Sequence, residues 1–368
     1  MSDRKYRPVY MFIFTGLILM VIMMNYSFNL IYYIQNRIYE NAVKTLFPVE
    51  TYFEDNYDEN AGSVWVDSEY LFGMAQEDKK PATQTDEGVV EAGASVYSQP
   101  SQENAPGNVY NIADLRNYDF LMKFYTVTSI TSLTPEIMRP EEFLAKDLSL
   151  EKNVDAPQIL IFHTHSQEGF TDTVEGDTST TIVGVGDYLT DILTNTYGYN
   201  VYHDTSVYDY VDGKLDRSKA YTYAEENVAK ILEENPSIEV VIDLHRDGVP
   251  DTTRLVTEVN GVSMSKVMLF NGISYSKVKG DIGYLYNANR DDNLAMSLQM
   301  YLLGEEYHPG LLRNIYINAY RYCLHMKGRS MLIEAGAQTN TSTEVKNAMI
   351  PVADMLDRLL RGEKAYTQ

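Results

Sequence analysis

Cysteine is almost absent from this chain of 368 residues, which contains Cys323 alone. A single thiol forms no internal disulfide and supplies no cysteine-based zinc knuckle, so the fold must rest on its packed core. Basic residues are also scarce, because 30 Lys and Arg stand against 52 Asp and Glu, for a formal net charge of -22. Nucleic acid is therefore not an expected partner, since phosphate binding depends on clustered positive charge.

One stretch near the N-terminus lacks charge altogether. Residues 9–34 form an uncharged, largely apolar run, longer than the roughly 20 residues that span a bilayer. The basic tail at residues 1–8 should stay in the cytoplasm. We therefore expect a single-pass transmembrane anchor, with the rest of the chain outside the cell membrane. A cleaved signal peptide is the alternative, but the run is long and no small-residue cleavage site follows it.

The chain beyond this run divides by composition. Residues 35–75 form a membrane-proximal segment, whose apolar residues recur at helical spacing until Pro48. Residues 76–108 are rich in Gln, Glu, Ser, Pro and Gly, which is typical of a disordered linker. We assign residues 109–150 to the N-terminal part of an ectodomain and residues 151–368 to its catalytic domain.

The catalytic segment alternates strand and helix patterns. This alternation predicts an α/β fold with an open, mostly parallel sheet flanked by helices. The stretches "PQILIFH", "IEVVIDLH" and "SMLIEAG" are predicted strands. The pair Asn260-Gly261 favours a type I′ hairpin turn. Thr341 and Glu344 predict a capping box at the start of the last helix, which Pro351 is expected to bend.

Polar side chains follow the apolar core of three predicted strands. Ligands of open α/β sheets bind in the crevice outside the carboxyl ends of the strands, so we expect these side chains to converge there. They are His163, His165 and Glu168 after the first strand, Asp243, His245, Arg246 and Asp247 around the second, and Glu334 in the third.

These residue types suit zinc. In hydrolases, zinc commonly takes three His or carboxylate ligands and keeps a fourth position for water. We predict that His165, Glu168 and His245 are the ligands and that Glu334 is the general base toward the water. If the strand continues, His163 and His165 share a face. Either histidine can then bind the metal, and the other orients the substrate or the water.

Two further residues have predicted supporting roles. Asp243 is expected to hold His245 from behind the metal. Arg246 is expected to neutralise charge on a tetrahedral intermediate. The alternative for Arg246 is an ordinary ion-pair cluster with Asp243 and Asp247.

Four sequence blocks together resemble the stage II sporulation protein P family. They are "FHTHSQEGF", then "VVIDLHRDG" with its following hairpin and "NGVSMSKVMLFNG", then "HPGLLR", and finally "LIEAGAQTNTSTEVKNA". The resemblance covers roughly residues 108–360, and the predicted anchor and linker also match the plan of this family.

The resemblance implies a membrane-anchored, zinc-dependent peptidoglycan hydrolase whose fold is similar to that of N-acetylmuramoyl-L-alanine amidases. It implies amidase activity, which separates stem peptide from glycan, and endopeptidase activity on crosslinks. It also implies a role in sporulation engulfment, in the space between the mother-cell and forespore membranes. The implied partners are a lytic transglycosylase, stage II sporulation protein D, and a membrane protein, stage II sporulation protein M.

The family's metal-site positions match His163 or His165, together with Glu168 and His245, and its catalytic glutamate matches Glu334. The chain departs from the amidases at one place, where their "D-P-G-H-G-G" opening is replaced by "HTHSQE". The metal-binding glutamate of the amidases also lies further along the chain. The assignment of Glu168 as a ligand is therefore a hypothesis.

Two alternative functions stay open. A catalytically inactive cell-wall-binding scaffold would keep the fold, although the intact polar set argues against it. A zinc carboxypeptidase-like enzyme also uses H-x-x-E followed by a distant His. Such an enzyme needs a positive side chain to bind the terminal carboxylate of its substrate, and Arg246 is the candidate. The products distinguish the enzymes, because a carboxypeptidase releases single amino acids and an amidase releases stem peptides.

Overall fold

The computed structural model describes residues 107–211, 214–259 and 261–367. The predicted basic tail, the anchor at residues 9–34, the membrane-proximal segment and the linker up to residue 106 lie outside the described residues. Within the described residues, no helix has both the length and the apolar character needed to cross a bilayer.

Short strands alternate with helices along the described chain. The strands are β1 Tyr110–Asn111, β2 Tyr125–Val127, β3 Ile159–Phe162, β4 Val201–His203, β5 Tyr210–Val211, β6 Lys214–Leu215, β7 Val240–Asp247, β8 Val256–Val259, β9 Val262–Ser265, β10 Val267–Gly272, β11 Tyr275–Ser276, β12 Gly280–Asp281, β13 Ile315–Asn318, β14 Arg329–Ala337 and β15 Tyr366–Thr367. The α-helices are α1 Ile112–Leu115, α2 Tyr118–Leu121, α3 Pro140–Ala145, α4 Ile182–Asp191, α5 Ala220–Glu234, α6 Arg290–Tyr307 and α7 Ser342–Leu360.

Seven of these strands form one sheet in the order β2-β13-β10-β14-β7-β3-β4. Neighbouring strands are parallel except for β10 and β14, which are antiparallel. The predicted α/β fold with a mostly parallel sheet is therefore confirmed. Helices cover both faces of such a sheet, which explains why all four residues of β3 are buried and apolar.

Alternation along the strands sorts the side chains into two layers. Ile242 and Leu244 of β7 point into the larger core cluster, to which α4, α6 and α7 also contribute. Val241 points to the other face, where it packs in a smaller cluster with residues of α5. Because side chains alternate with a period of two, Asp243 and His245 lie on the same face as Val241. The polar site is therefore on the α5 side of the sheet.

Residues 110–150 belong to the same body as the rest of the described chain. Strand β2 pairs with β13 at one edge of the sheet, and β1 pairs with β15 near the C-terminus. Leu115, Leu121 and Phe143 are buried in the larger core cluster. This segment therefore completes the edge of the sheet.

The predicted hairpin and the predicted last helix are both present. Strands β8 and β9 form the predicted hairpin, with Val259 paired to Val262. Gly261 has a φ of 76°, a left-handed conformation that glycine adopts without strain; Asn260 lies outside the described residues. Helix α7 is continuous and contains Pro351 in its interior, so the proline does not end it.

The predicted capping box of α7 is also confirmed. The backbone N–H of Glu344 donates to Thr341 Oγ1 at 3.2 Å, and the N–H of Thr341 donates to Glu344 Oε2 at 2.9 Å. We expect Thr341→Ala to lower the free energy of unfolding by about 1 kcal/mol, because the first turn loses its side-chain acceptor. Urea denaturation measures the change, with the exposed Thr343→Ala as a matched control. Equal losses in both variants would contradict the assignment.

Candidate active site

The carboxyl ends of three neighbouring strands bring the predicted polar residues together. Strand β7 lies between β3 and β14, and His245 is in register with Glu334. His165 and Glu168 follow directly after β3. All four side chains are buried, with residue exposures between 0% and 3%. The predicted convergence at the crevice therefore includes His165, Glu168, His245 and Glu334.

His245 lies between two carboxylates. Its Nε2 is 2.8 Å from Asp243 Oδ1, and its Nδ1 is 3.5 Å from Glu168 Oε2. Burial by itself would lower the pKa of His245, but Asp243 and Glu168 outweigh it and raise that pKa well above the usual value. Asp243 is in turn held by Thr164, whose N–H and Oγ1 donate to it at 3.0 and 2.7 Å.

Glu168 is surrounded by positive charge and donors. The N–H of Arg246 donates to Glu168 Oε2 at 2.9 Å, and Arg217 Nη1 lies 4.0 Å from Oε1. Burial would raise the pKa of Glu168, but His245, Arg246 and their neighbours lower it below the usual range. The carboxylate therefore stays ionised in a buried position.

His165 is neutral and has no hydrogen-bond partner. Both ring nitrogens are buried and unpaired. The ring packs edge-to-face on His245 at 5.3 Å and on Tyr221 at 5.6 Å between centroids. Burial, followed by the charge of His245, lowers the pKa of His165 well below its usual value. Its nitrogen lone pair is therefore available to a ligand that enters this space.

His163 points elsewhere. Strand β3 ends at Phe162, so the two histidines do not continue its alternation. His163 Nδ1 lies 2.7 Å from the carbonyl oxygen of Leu244, and its Nε2 lies 2.8 Å from His203 Nε2. His203 Nδ1 contacts Asp187 Oδ1 at 2.9 Å. Burial, together with His203, lowers the pKa of His163 to about 3. Both nitrogens of His163 are thus occupied, whereas His165 faces the Glu168–His245 pair.

The guanidinium of Arg246 binds backbone oxygens. Its Nε donates to Gly169 O at 3.2 Å, and its Nη1 donates to Asp247 O at 3.3 Å. The carboxylate of Asp247 pairs instead with Arg313, at 2.5 Å. Arg246 therefore positions the segment after β3, beside Glu168, rather than forming an ion-pair cluster with Asp243 and Asp247.

Glu334 is buried with one oxygen unpaired. Its Oε2 has no hydrogen-bond partner. Burial raises the pKa of Glu334 well above its usual value, and the negative charges of Asp247 and Glu168 add to the rise against the opposing effect of His245. Glu334 is therefore a carboxyl group with a high affinity for a proton, next to His245.

Sequence reasoning missed two ionisable neighbours of this site, Arg217 and His203. His203 ends strand β4, so the strand-end pattern that selected His165 could have selected it as well. Arg217 follows the β5–β6 hairpin, and no sequence motif marks it. The hairpin is anchored at the site, because Asp209 accepts hydrogen bonds from Ser166 Oγ at 2.9 Å and Gln167 N at 3.2 Å.

The spacing of the polar side chains can be compared with that of a metal site. Among the described residues, no three His, Cys, Asp or Glu side chains converge as in a formed metal site. A surface cavity lined by Lys146, Glu239 and Arg329, among others, lies at the amino ends of β7 and β14, away from the polar site. It therefore plays no part in the chemistry of this centre.

A sequence model described as Stage II sporulation protein P (SpoIIP) matches residues 49–357. The chain belongs to this family. It is 22% identical over 230 residues to stage II sporulation protein P of Bacillus subtilis (strain 168), a match that covers 58% of this chain and 54% of that protein. The chain thus spans about half the length of this curated relative.

Several solved structures are similar to part of the chain. N-acetylmuramoyl-L-alanine amidase AmiC2 of Nostoc punctiforme is 12% identical, with a TM-score of 0.31, over 57% of this chain and 97% of that one. The amidase Ami1 of Mycobacterium smegmatis is 15% identical, with a TM-score of 0.32, over 56% and 96%. The catalytic domain of the CD27L endolysin, which targets Clostridia difficile, is 11% identical, with a TM-score of 0.34, over 56% and 98%.

Helix α4 leaves room for the His163–His203 contact only because residue 186 is glycine. A Cβ atom at Gly186 would lie 2.6 Å from Nε2 of both histidines. Gly→Ala in a helix normally stabilises by about 1 kcal/mol, but overpacking costs about 1–3 kcal/mol. We therefore expect Gly186→Ala to lower the melting temperature. Gly283→Ala, where a Cβ meets open space, should leave it unchanged or raise it slightly; a stabilised Gly186→Ala would contradict this packing.

Proposed function

We propose that this protein is a membrane-anchored, zinc-dependent peptidoglycan hydrolase, an N-acetylmuramoyl-L-alanine amidase that also has endopeptidase activity on crosslinks. One observation carries the proposal. A buried set of two histidines and an ionised carboxylate lies beside an unpaired, proton-binding carboxyl group, in a chain that belongs to the stage II sporulation protein P family.

The residues present fit zinc in their chemistry. Ligand atoms of a tetrahedral zinc site with bonds of about 2.0–2.1 Å stand roughly 3.3 Å apart. His245 Nδ1 and Glu168 Oε2 are 3.5 Å apart, and both nitrogens of His165 lack partners. His165 packs edge-to-face on His245, which places its ring beside this pair. Asp243 then supports His245 from the far side of the ring, as carboxylates commonly do for zinc-binding histidines.

Each residue of the site has a separate role in the proposed amide hydrolysis. Zinc bound to His165, Glu168 and His245 would polarise the scissile carbonyl and lower the pKa of water to about 7. Glu334 takes a proton from the attacking water as the oxygen bonds to the carbonyl carbon. It then returns that proton to the leaving amine nitrogen as the C–N bond breaks. The first transfer needs the ionised carboxylate of Glu334, which a cation bound nearby would favour.

Arg246 and Arg217 place positive charge beside Glu168, where it can stabilise negative charge that develops on the carbonyl oxygen. His163 supports the site indirectly in this proposal, since its nitrogens bind Leu244 and His203.

We further propose that the protein acts on the septal cell wall during sporulation engulfment. The anchor at residues 9–34 would hold it in the membrane, with the hydrolase in the space between the mother-cell and forespore membranes. Its proposed partners are stage II sporulation proteins D and M. Family membership and the uncharged N-terminal run support this placement.

Zinc content tests the ligand set. The purified full-length protein should hold one zinc per chain, and His165→Ala and Glu168→Ala should each lose it, because each removes one of three ligands. His325→Ala should retain the metal, since His325 pairs with Glu225 on α5. The measurement is metal analysis after dialysis. If Glu168→Ala keeps its zinc, that ligand must be found elsewhere in the chain.

Digestion of purified peptidoglycan tests the reaction. Zinc-loaded protein should release stem peptides. In Glu334→Gln the rate of release should fall about 10²–10⁴-fold, because the amide side chain cannot accept a proton. Removal of zinc by a chelator should also abolish release, and added zinc should restore it.

Mass spectrometry of the products separates the possible activities. Split crosslinks indicate an endopeptidase, and single released amino acids would indicate the carboxypeptidase alternative instead. No products from a folded, zinc-loaded protein would favour the scaffold.

A further inference from the structure

A buried tyrosine near the catalytic centre has a hydroxyl group without a partner. Tyr322 is 6% exposed, and its Oη has no hydrogen bond. Buried tyrosine hydroxyls usually find a partner, because an unpaired buried polar group is unfavourable. An unpaired hydroxyl in a packed interior is therefore unusual and can indicate a functional role.

The backbone at Tyr322 is strained. Tyr322 and Cys323 have φ values of 48° and 57°, two successive non-glycine residues in the left-handed region. For a bulky side chain this conformation is an outlier. Such strain persists only where the surrounding structure imposes it, and it concentrates at functional sites.

The surroundings of Tyr322 hold it in place from two sides. Arg321 Nη2 donates to Glu225 of α5 at 2.6 Å, and the thiol of Cys323 contacts Tyr221 O at 3.7 Å. On the other side, a Cβ at Gly272 would lie 2.5 Å from Cδ2 of Tyr322. The loop is therefore pressed against the end of β10 and tied to α5, which fixes the tyrosine ring.

Edge-to-face ring contacts connect Tyr322 to the catalytic centre. Its ring lies 4.8 Å from that of Phe270 and 5.4 Å from that of Tyr221. Tyr221 in turn lies 5.6 Å from His165. Phe270 pairs with the β14 residue two positions before Glu334. Burial, with smaller effects of Tyr320, Tyr316 and Glu334, raises the pKa of Tyr322 well above its usual value.

Besides His245, whose Nε2 pairs with the Asp243 carboxylate, the buried residues on this side of the sheet with polar atoms that lack a hydrogen-bond partner include His165, Glu334 at Oε2, and Tyr322. His165 and Glu334 have roles in the proposed hydrolysis, and Tyr322 has none so far.

We propose that Tyr322 is a substrate-binding residue of this centre, whose hydroxyl hydrogen-bonds to the peptide backbone of the bound substrate. A peptide group offers both a donor and an acceptor, and a tyrosine hydroxyl can pair with either. The inference rests on the proposed function only in that the substrate is a peptide amide. A purely structural tyrosine, packed by its ring alone, is the competing explanation.

The test removes the hydroxyl and keeps the ring. Binding of a disaccharide–stem peptide fragment is measured by calorimetry in a Glu334→Gln background, which prevents turnover. Adding Tyr322→Phe should weaken binding about tenfold, the effect of one lost hydrogen bond. In the otherwise unchanged enzyme, Tyr322→Phe should lower kcat/KM by a similar factor without loss of zinc.

Tyr125→Phe is the matched control. The hydroxyl of Tyr125 is also buried and unpaired, but it lies on β2 in the larger core cluster, next to Tyr301. Its removal should leave the Kd, kcat/KM and zinc content unchanged. Urea denaturation of both variants should show no loss of stability, because neither hydroxyl has a hydrogen bond to lose.

The outcomes separate the two proposals. An unchanged Kd and kcat/KM in Tyr322→Phe, or equal changes in both variants, would overturn the role of Tyr322 while the hydrolase function stands. If the wild-type protein binds the fragment but never cleaves peptidoglycan, the hydrolase proposal fails and the Kd still decides the role of Tyr322. If neither the wild-type protein nor Glu334→Gln binds the fragment, both proposals fail.

Discussion

The compensation of buried charge around His245 is the constraint on which the rest of the site depends. Ionised groups are excluded from a protein interior unless opposite charges and hydrogen bonds accompany them. Asp243 and Glu168 flank His245, and Thr164 satisfies Asp243. Removing one partner of such a buried pair typically costs about 3–5 kcal/mol, because it leaves the other charge uncompensated. The cluster is thus a unit whose members hold one another in place.

The sheet determines where this unit can exist. Parallel pairing of β14, β7 and β3 puts their carboxyl ends at one edge, and the in-register pair His245–Glu334 brings a buried carboxyl group next to a buried histidine. Phe270 of β10 pairs with Leu332, two residues before Glu334, so its ring lies on the same face. Aromatic rings fill the space beside the polar cluster there, which excludes water and strengthens each electrostatic interaction inside.

Much of this architecture was predictable from local pattern. The apolar run of β3, the hairpin at Gly261 and the capping box of Thr341 and Glu344 all depend on interactions within a few residues, and the structure confirms each of them. The convergence of His165, Glu168, His245 and Glu334 was also predictable, because strand ends of a parallel sheet share an edge. The fold class, the convergence of polar residues at the strand ends and the family could thus be inferred from the sequence alone.

Only the tertiary structure decided which side chains contact one another and which backbone conformation Tyr322 adopts. His163 and His165 cannot be distinguished in the sequence, but β3 ends before them, and one contacts His203 while the other packs on His245. Arg217 reaches Glu168 from the turn that follows the β5–β6 hairpin. The left-handed backbone of Tyr322 exists because packing against β10 and α5 imposes it. Long-range packing and charge compensation act between residues far apart in the chain, and no local pattern encodes them.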